Sequence, residues 1–205
     1  IAGTLQGLNV YNQINDNFER IHQSYPEQPG SINNNFINKI YVDGERIWIG
    51  TEGCGLNRLS PKRLKVKDIT HNFNAAGRSM NVPVNAILAE DDGTLWVGAV
   101  EGGLHRSDTD VREFRSYSAE SGHLSHNSVS ALARDGKGRL WVGSWGGGVD
   151  VFEEHGSKDL RRIRHIIQTD DGSRHIGYIG ALIWDPVNSL MWIGTSRGLF
   201  VYNPQ

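Results

Sequence analysis

The chain has 205 residues, with 21 Lys and Arg against 23 Asp and Glu, for a formal net charge of −2 at pH 7. Nucleic acids and anionic membranes select a clustered positive field, so this balance argues against binding to either by bulk charge. The sequence lacks the ~18 to 20 consecutive apolar residues of a membrane span and the basic-then-apolar start of a signal peptide. A single cysteine, Cys54, excludes an internal disulfide and a cysteine-based zinc cluster. The 25 glycines, together with plentiful Leu, Ile, Val and Trp, predict a turn-rich, all-β globular chain.

One phrase built around a tryptophan and a glycine recurs four times along the chain. The glycines that follow the motif tryptophans are 48, 45 and 51 residues apart, a period typical of propeller blades or of helical repeats. Short apolar runs bounded by Gly, Asp, Asn and Pro, without a helical period, favour blades. The four copies are RIWIGTEGCGLNRL (46–59), TLWVGAVEGGLHRS (94–107), RLWVGSWGGGVDVF (139–152) and LMWIGTSRGLFVYN (190–203).

Each repeat is predicted to form four β-strands. The opening IAGTLQGLNVYN matches GTSRGLFVYN from Gly3 and Gly194 onward, so the chain is predicted to begin at the end of a second strand. The first strands of the later repeats are predicted at 38–42, 84–90, 129–134 and 180–185. Each precedes an Asp/Gly or Asp/Pro turn, the Trp-containing second strand, a glycine-rich turn and a third strand. Charges alternate in the predicted fourth strands, as an outer edge needs to resist aggregation, at 64–69, 112–117 and 161–166.

The tryptophan of the second strand is predicted to anchor blade packing. Apolar residues run consecutively in this strand, as expected where neighbouring blades cover both of its faces. Glycine is expected in the turn that follows, because it adopts positive φ at little cost. The four predicted anchors are Trp48, Trp96, Trp141 and Trp192.

These assignments predict an all-β fold of β-propeller blades, each of four antiparallel strands, with about four blades present. The expected strands number two in the opening segment, twelve in three full repeats and three in the last, or 17. This is one more than four closed blades require, so we expect an arc or fragment of a larger propeller. The expected divisions are a partial blade at 1–31, blades at 32–80, 81–126 and 127–176, and a partial blade at 177–205.

The pattern D-x-x-G-x-[IL]-W-[IV]-G-[TAS]-x-x-G-G-[LV] resembles the two-component regulator propeller repeat. EDDGTLWVGAVEGGL (90–104) and RDGKGRLWVGSWGGGV (134–149) carry it most fully, and the repeats cover nearly the whole chain. Two departures are modest. MWIGTSRGL has one residue fewer in its turn, and ARDGKG has no acidic residue before its Asp.

The resemblance implies the ligand-sensing periplasmic region of a hybrid two-component sensor histidine kinase. There, two seven-bladed propellers precede an immunoglobulin-like domain, a membrane helix and the kinase. It further implies a segment that responds to oligosaccharides from polysaccharide breakdown, with no enzymatic activity or cofactor of its own. The implied partners are the oligosaccharide and the other propeller and immunoglobulin-like domains of the parent chain, with a homodimer left open. Two alternatives remain: a scaffold or dimerisation propeller whose ligand binds elsewhere, and a propeller lyase or hydrolase.

Trp145 stands outside the repeated tryptophan position, in the turn between the second and third strands. Its counterparts are predicted near Gly53, Glu101 and Arg197, so blade packing does not demand an aromatic side chain there. In a propeller this turn shares an end surface with the polar connections between blades. An exposed indole there could stack on a pyranose ring while amides bond its hydroxyls; the alternative is local packing over the turn. Weaker candidates for the same surface are His123, His126, Arg78 and Arg174.

Four other patterns favour a structural role over chemistry. The glycine-rich turns lack the layout and following helix of a phosphate loop, and the acidic turns lack a complete calcium loop. His123 and His126 have the spacing of two metal ligands, but no third ligand is evident nearby, so a solvated loop is favoured. The basic run LRRIRH (160–165) has the composition of a sulfate site. Edge protection is favoured because Arg162 and Arg164 are expected on one face of the strand and Arg161 on the other.

Overall fold

A computed structural model of the chain describes residues 1–24, 28, 30–60, 65–69, 82–155, 159–169 and 172–205. Within these residues it contains eighteen β-strands in five sheets, and none of their segments forms a helix that could cross a membrane. The predicted all-β class is confirmed. The chain divides into two compact units: unit 1 comprises residues 1–97 and 106–115, and unit 2 comprises residues 98–105 and 116–205.

Unit 1 contains the first two sheets, each built from consecutive antiparallel strands. The first sheet consists of β1 (Ala2–Thr4), β2 (Gly7–Asn12) and β3 (Asn17–Ile21). The second sheet consists of β4 (Ile37–Asp43), β5 (Arg46–Thr51), β6 (Gly55–Ser60) and β7 (Lys65–Asp68). The opening segment has three strands, not the predicted two, because residues 2–4 are enough to pair with β2.

The third sheet has residues in both units, and the last two sheets lie in unit 2. The third sheet consists of β8 (Val84–Ala89), β9 (Leu95–Ala99), β10 (Gly103–Ser107) and β11 (Phe114–Tyr117), in the order β11-β10-β9-β8. The fourth consists of β12 (Val129–Arg134), β13 (Leu140–Ser144), β14 (Gly148–His155) and β15 (Asp159–Ile166). The fifth consists of β16 (Ile179–Asp185), β17 (Leu190–Thr195) and β18 (Gly198–Tyr202).

Two of the W-[IV]-G motif glycines, Gly50 and Gly143, allow the first strand of the next sheet to approach closely. The first strands of adjacent sheets lie against one another, β4 against β8 in unit 1 and β12 against β16 in unit 2. A Cβ atom on Gly50 would lie 2.6 Å from the carbonyl oxygen of Val84, and one on Gly143 would overlap the Cγ2 methyl of Ile179. Neither glycine has a positive φ. These two motif glycines therefore serve sheet packing, whereas the turn glycines serve the turn.

The motif tryptophans of the three internal sheets are fully buried. Trp48 and Trp141 are 1% exposed and Trp96 is 0% exposed. Trp141 packs edge-on against Tyr202 with 5.6 Å between ring centroids. Around it, the core of unit 2 combines one face of the fourth sheet with the facing side of the fifth, through residues that include Val149, Val151, Leu182, Met191 and Ile193.

The outer face of the fifth sheet repeats the pattern of the covered face of the fourth. Strand pairing aligns Ile183, Trp192 and Val201, just as it aligns Ala133, Trp141 and Val151 in the fourth sheet. In the fifth sheet, however, Ile183 is 62% and Val201 48% exposed. Trp192 is correspondingly only partly buried, because none of the described residues forms a sheet over this face.

A β-bulge in the outer hairpin of the fourth sheet sets the direction of the β15 side chains. Val151 lies opposite Arg164, but the next residue, Phe152, lies opposite Arg162, so Ile163 is the extra residue. Successive side chains of a regular strand alternate between faces, and the extra residue breaks that alternation. The prediction that Arg162 and Arg164 share one face is therefore wrong.

Candidate ligand-binding surface

The turn between β13 and β14 presents Trp145, whose side chain is 43% exposed. Ser144 pairs with Gly148, so residues 145–147 form the turn. Gly146 and Gly148 have φ angles of 110° and 70°, which disfavour a side chain at either position. The Trp145 backbone N–H donates to the carbonyl of Ser128 at 2.9 Å, which fixes where the indole leaves the turn.

The same hydrogen bond identifies the true counterparts of Trp145. In the second sheet Glu52 donates to the carbonyl of Phe36 at 3.0 Å, and in the fifth Ser196 donates to that of Tyr178 at 2.9 Å. Each lies one position before the predicted counterparts, Gly53 and Arg197. Gly53 (φ 72°) and Glu101 (φ 56°) correspond instead to the positive-φ position of Gly146. Polar side chains thus replace the indole in the second and fifth sheets.

His126 packs directly over this turn. A Cβ on Gly147 would lie 2.6 Å from the Cβ of His126, so glycine is needed for the approach. The Ser128 backbone N–H donates to Nδ1 of His126 at 3.0 Å, which assigns the proton of the neutral imidazole to Nε2. Nε2 lies 3.4 Å from the position that a Cβ would take on Gly146. His126 therefore offers an N–H donor beside Gly146, the residue that follows Trp145.

Tyr178 completes the aromatic part of the surface. Its side chain is 60% exposed, and its Cε1 lies 3.8 Å from the Cβ position of Gly146. Its backbone N–H donates to the Ser196 hydroxyl at 3.1 Å, so the segment before β16 is held firmly. We call Trp145, His126, Tyr178 and Ser196 the Trp145–Tyr178 surface.

The sequence prediction missed Tyr178, although a signal for it was present. Phe36 occupies the same position before β4 and is 46% exposed, so an aromatic residue just before a first strand marks this end surface.

The structure places the other predicted site residues as follows. His123 bonds the hydroxyl of Ser121 through Nδ1 at 2.9 Å. Arg174 lies over the ring of Phe200 at 5.7 Å, where the cation contacts the aromatic face. Arg78 lies outside the described residues. No group of three or more His, Cys, Asp and Glu side chains in the described part of the chain is arranged to hold a metal ion.

A second cluster of polar side chains surrounds a buried carboxylate, that of Asp150. The cluster includes Ser125, the residue next to His126. Asp150 is 4% exposed, and Ser125 donates to it through its backbone N–H at 2.7 Å and its hydroxyl at 2.6 Å. Nδ1 of His165 lies 2.9 Å from the carboxylate, and Nη1 of Arg162 lies 3.4 Å from it. These partners compensate the cost of burying the charge.

Asp150 lies two residues after the glycine that opens the third strand of its sheet. The equivalent residues in the second and third sheets are also polar and buried. Asn57 donates from Nδ2 to the Oδ1 of Asn33 at 2.7 Å. His105 is 4% exposed, with Nδ1 2.8 Å from the hydroxyl of Ser116. Burial lowers the pKa of His105 to about 4. This position therefore ties third strands to neighbouring polar segments.

A shallow depression in unit 1 is not part of the candidate ligand-binding surface. Its lining includes Leu5, Asn9, Phe18 and Arg20, on the exposed face of the first sheet. In the fourth sheet the same face carries Phe152, which is fully buried. The depression therefore reflects an uncovered sheet face and does not form part of the candidate surface.

Two segments match the family described as two component regulator propeller, residues 31–53 and 123–146. Each runs from the connection before a first strand, through the W-[IV]-G strand, to the turn that follows. No curated protein matches the chain.

Solved structures share the fold. The extracellular domain of a protein described as a hybrid two component system of B. thetaiotaomicron is 22% identical, with a TM-score of 0.74, over 98% of this chain and 25% of that one. One described as a one component system of the same organism is 24% identical, with a TM-score of 0.73, over 97% and 25%. The computationally designed Ika8 protein is 15% identical, with a TM-score of 0.64, over 98% and 54%.

The five sheets and these likenesses define the chain as a segment of a β-propeller, and it spans a quarter of the length of the two B. thetaiotaomicron structures. More particularly, two of its segments match the two component regulator propeller family, which confirms the resemblance expected from its W-[IV]-G motifs.

Proposed function

We propose that the chain is the ligand-sensing, extracytoplasmic propeller segment of a hybrid two-component sensor and that it recognises oligosaccharides through the Trp145–Tyr178 surface. The observation that carries the proposal is a pair of exposed aromatic residues at one turn: Trp145 directly precedes Gly146, and Cε1 of Tyr178 lies 3.8 Å from the Cβ position of Gly146. Trp145 and Tyr178 are 43% and 60% exposed, although blade packing requires neither. Nε2 of His126 lies 3.4 Å from the same Cβ position.

The chemistry of this surface suits a sugar ring. An aromatic face contacts the apolar C–H face of a pyranose, while the phenol of Tyr178, the Nε2–H of His126 and the hydroxyl of Ser196 are placed to bond ring hydroxyls. Since the aromatic groups rest on fixed backbone, little conformational freedom is lost on binding. No nucleophile with a positioned base is part of this set, so we assign it binding and not catalysis.

Signalling would follow from differential binding. A ligand that prefers one arrangement of the propeller against the remaining domains of the parent chain shifts the equilibrium toward that arrangement, and so changes the output of the attached signalling domain. Extracytoplasmic placement is supported by the extracellular domains among the similar structures.

The test is to titrate the full chain with a panel of neutral and acidic oligosaccharides and to measure binding affinity by isothermal titration calorimetry. We expect Trp145→Ala and Tyr178→Ala each to weaken binding of the active oligosaccharide at least tenfold. The matched control is Phe18→Ala, an aromatic side chain in unit 1 that is 63% exposed. Equal affinity in Trp145→Ala and the unchanged chain would refute the proposed site, and equal loss in Phe18→Ala would show that the effect is not local.

A further inference from the structure

The three arginines of β15 contact different partners. Arg161 pairs with Glu153 at 2.7 Å, and Arg164 lies over the ring of Tyr202 at 5.5 Å. The bulge directs Arg162 to the other face, where its Nη1 lies 2.6 Å from the hydroxyl of Ser125. Arg162 is thus the arginine of this strand that the structure brings to the connection carrying His126.

The Asp150 carboxylate holds Arg162 and His165 in fixed positions. Its side chain is 5% exposed, whereas those of Arg162 and His165 are 37% and 35% exposed, so the two basic groups lie between the carboxylate and solvent. Nδ1 of His165 faces both Asp150 (2.9 Å) and Ser125 (3.1 Å), which leaves Nε2 on the opposite side of the ring. Arg162 engages these partners through Nη1 alone.

This arrangement has the features of an oxyanion site. A guanidinium offers five N–H donors in a planar fork, and one nitrogen is occupied here, so further donors remain to take an oxyanion with two parallel hydrogen bonds. Because Asp150 already orders the side chain, an incoming anion does not have to immobilise a free arginine. Nε2 of His165 points away from Asp150 and adds a second hydrogen-bonding group on that side.

We propose that Arg162 and His165 form a subsite for an anionic substituent, a carboxylate or sulfate group, carried by the ligand of this propeller. The inference rests on the proposed function, because the subsite begins one residue from His126 of the Trp145–Tyr178 surface. Asp150 and Ser125 act as positioning residues for the two basic groups. The ligand class is thereby narrowed to acidic oligosaccharides.

The first measurement follows the Arg162 Nε–Hε and His165 side-chain NMR signals of the full chain during titration with sodium sulfate. Sodium chloride of equal ionic strength is the reference. We expect saturable shifts with sulfate that chloride does not produce. Shifts that never saturate, or that chloride reproduces, would overturn the subsite.

The second measurement compares trigalacturonate with its neutral methyl ester, which keeps the ring hydroxyls and removes the charge. We expect Arg162→Gln to weaken trigalacturonate binding at least tenfold and to leave ester binding unchanged. The matched control is Arg161→Gln, which removes a neighbouring arginine on the opposite face and should change affinity less than twofold. Equal affinity for acid and ester, or equal loss in both variants, would overturn the subsite.

A sulfated sugar tests whether the subsite accepts a sulfate group as well as a carboxylate. A sulfated disaccharide that competes with trigalacturonate in the unchanged chain but not in Arg162→Gln supports a general oxyanion subsite. If sulfate saturates the Arg162 signals while no oligosaccharide binds, the subsite stands and the proposed function fails. If the ester binds through Trp145 and Arg162→Gln has no effect on the acid, the proposed function stands and the subsite fails.

Discussion

Gly143 at the end of the Trp141 strand and Ile179 at the start of β16 are in direct contact, with the Cγ2 methyl of Ile179 in the place that a Cβ on Gly143 would need. The hydroxyl of Ser130 donates to the carbonyl of Ile179 at 2.5 Å in the same region. The fourth and fifth sheets therefore leave no room for a side chain at position 143.

Gly143→Ala should destabilise unit 2. The added methyl has to displace Ile179, and overpacking of this kind costs about 1–3 kcal/mol. The control is Gly194→Ala in the same motif position of the fifth sheet. There the nearest atom to the new Cβ would be the Ala181 Cβ at 3.4 Å, so little change is expected. Urea unfolding measures both free energies of unfolding, and equal values for the two variants would contradict the packing role.

The two tryptophans of the fourth sheet's repeat should contribute differently: Trp141 mainly to stability and Trp145 mainly to ligand binding. Trp141→Ala removes a buried side chain and should lower the free energy of unfolding by about 3–5 kcal/mol. Trp145→Ala removes a 43% exposed side chain and should lower the free energy of unfolding by less than about 1 kcal/mol. Thermal denaturation monitored by circular dichroism compares them. A large loss of stability in Trp145→Ala would mean that its indole serves packing over the turn.

Asp135 should contribute to stability in a pH-dependent way. Its carboxylate accepts from the Trp141 indole at 2.8 Å and from Nε of Arg139 at 2.6 Å. Burial raises the pKa of Asp135, but hydrogen bonds from Trp141, from the Arg139 backbone and side chain and from the Lys137 backbone outweigh it, so the pKa is lowered. A group with a depressed folded-state pKa stabilises above its unfolded pKa, about 3.9 for Asp, and loses that contribution as pH falls through the folded value.

Asp135→Asn should therefore lower the free energy of unfolding by about 1–3 kcal/mol at pH 7, through loss of charge-assisted hydrogen bonds. The difference between the unchanged chain and the variant should stay constant down to about pH 5 and shrink below about pH 4. Chemical denaturation at a series of pH values measures it. A difference that grows on acidification would contradict the assignment.

His105 should make the chain less stable in mild acid. Burial lowers its pKa to about 4, well below the usual 6.5, so between these values the unfolded state binds more protons than the folded state. Stability attributable to this group then rises with pH from about 4 to about 6.5, by about 3 kcal/mol in total. His105→Asn, which introduces the residue that Asn57 provides in the second sheet, should remove this slope. An unchanged slope in urea denaturation across pH 4–6.5 would refute the buried neutral imidazole.

Features that depend on repetition could be predicted from the sequence. The spacing of the W-[IV]-G motifs predicts the sheets, and the apolar run around Trp141 predicts a strand covered on both faces. The role of Gly143 could not be assigned in this way, because its contact with Ile179 joins two repeats and leaves no local signal.

The polar groups were harder to predict because they depend on register. A single extra residue, Ile163, sends Arg162 toward Asp150, and strict alternation along β15 predicts the opposite. Glu52 and Trp145 are equivalent because the backbone N–H of each donates to the residue just before the first strand of its sheet. These hydrogen bonds define the equivalence, whereas the sequence prediction places the counterpart one residue later. Burial of Asp150 beside Ser125 joins residues 25 positions apart, and the repeat pattern does not relate the two.

The matching faces of the fourth and fifth sheets bear on how such a chain can change in evolution. The side that carries Trp141 and the side that carries Trp192 present the same aligned pattern, and each repeat also brings the apolar side that packs onto such a face. A tandem duplication of one repeat therefore supplies both halves of every new contact at once. Copy number can then grow or shrink by whole repeats without any compensating substitution, while turns such as that of Trp145 diverge independently.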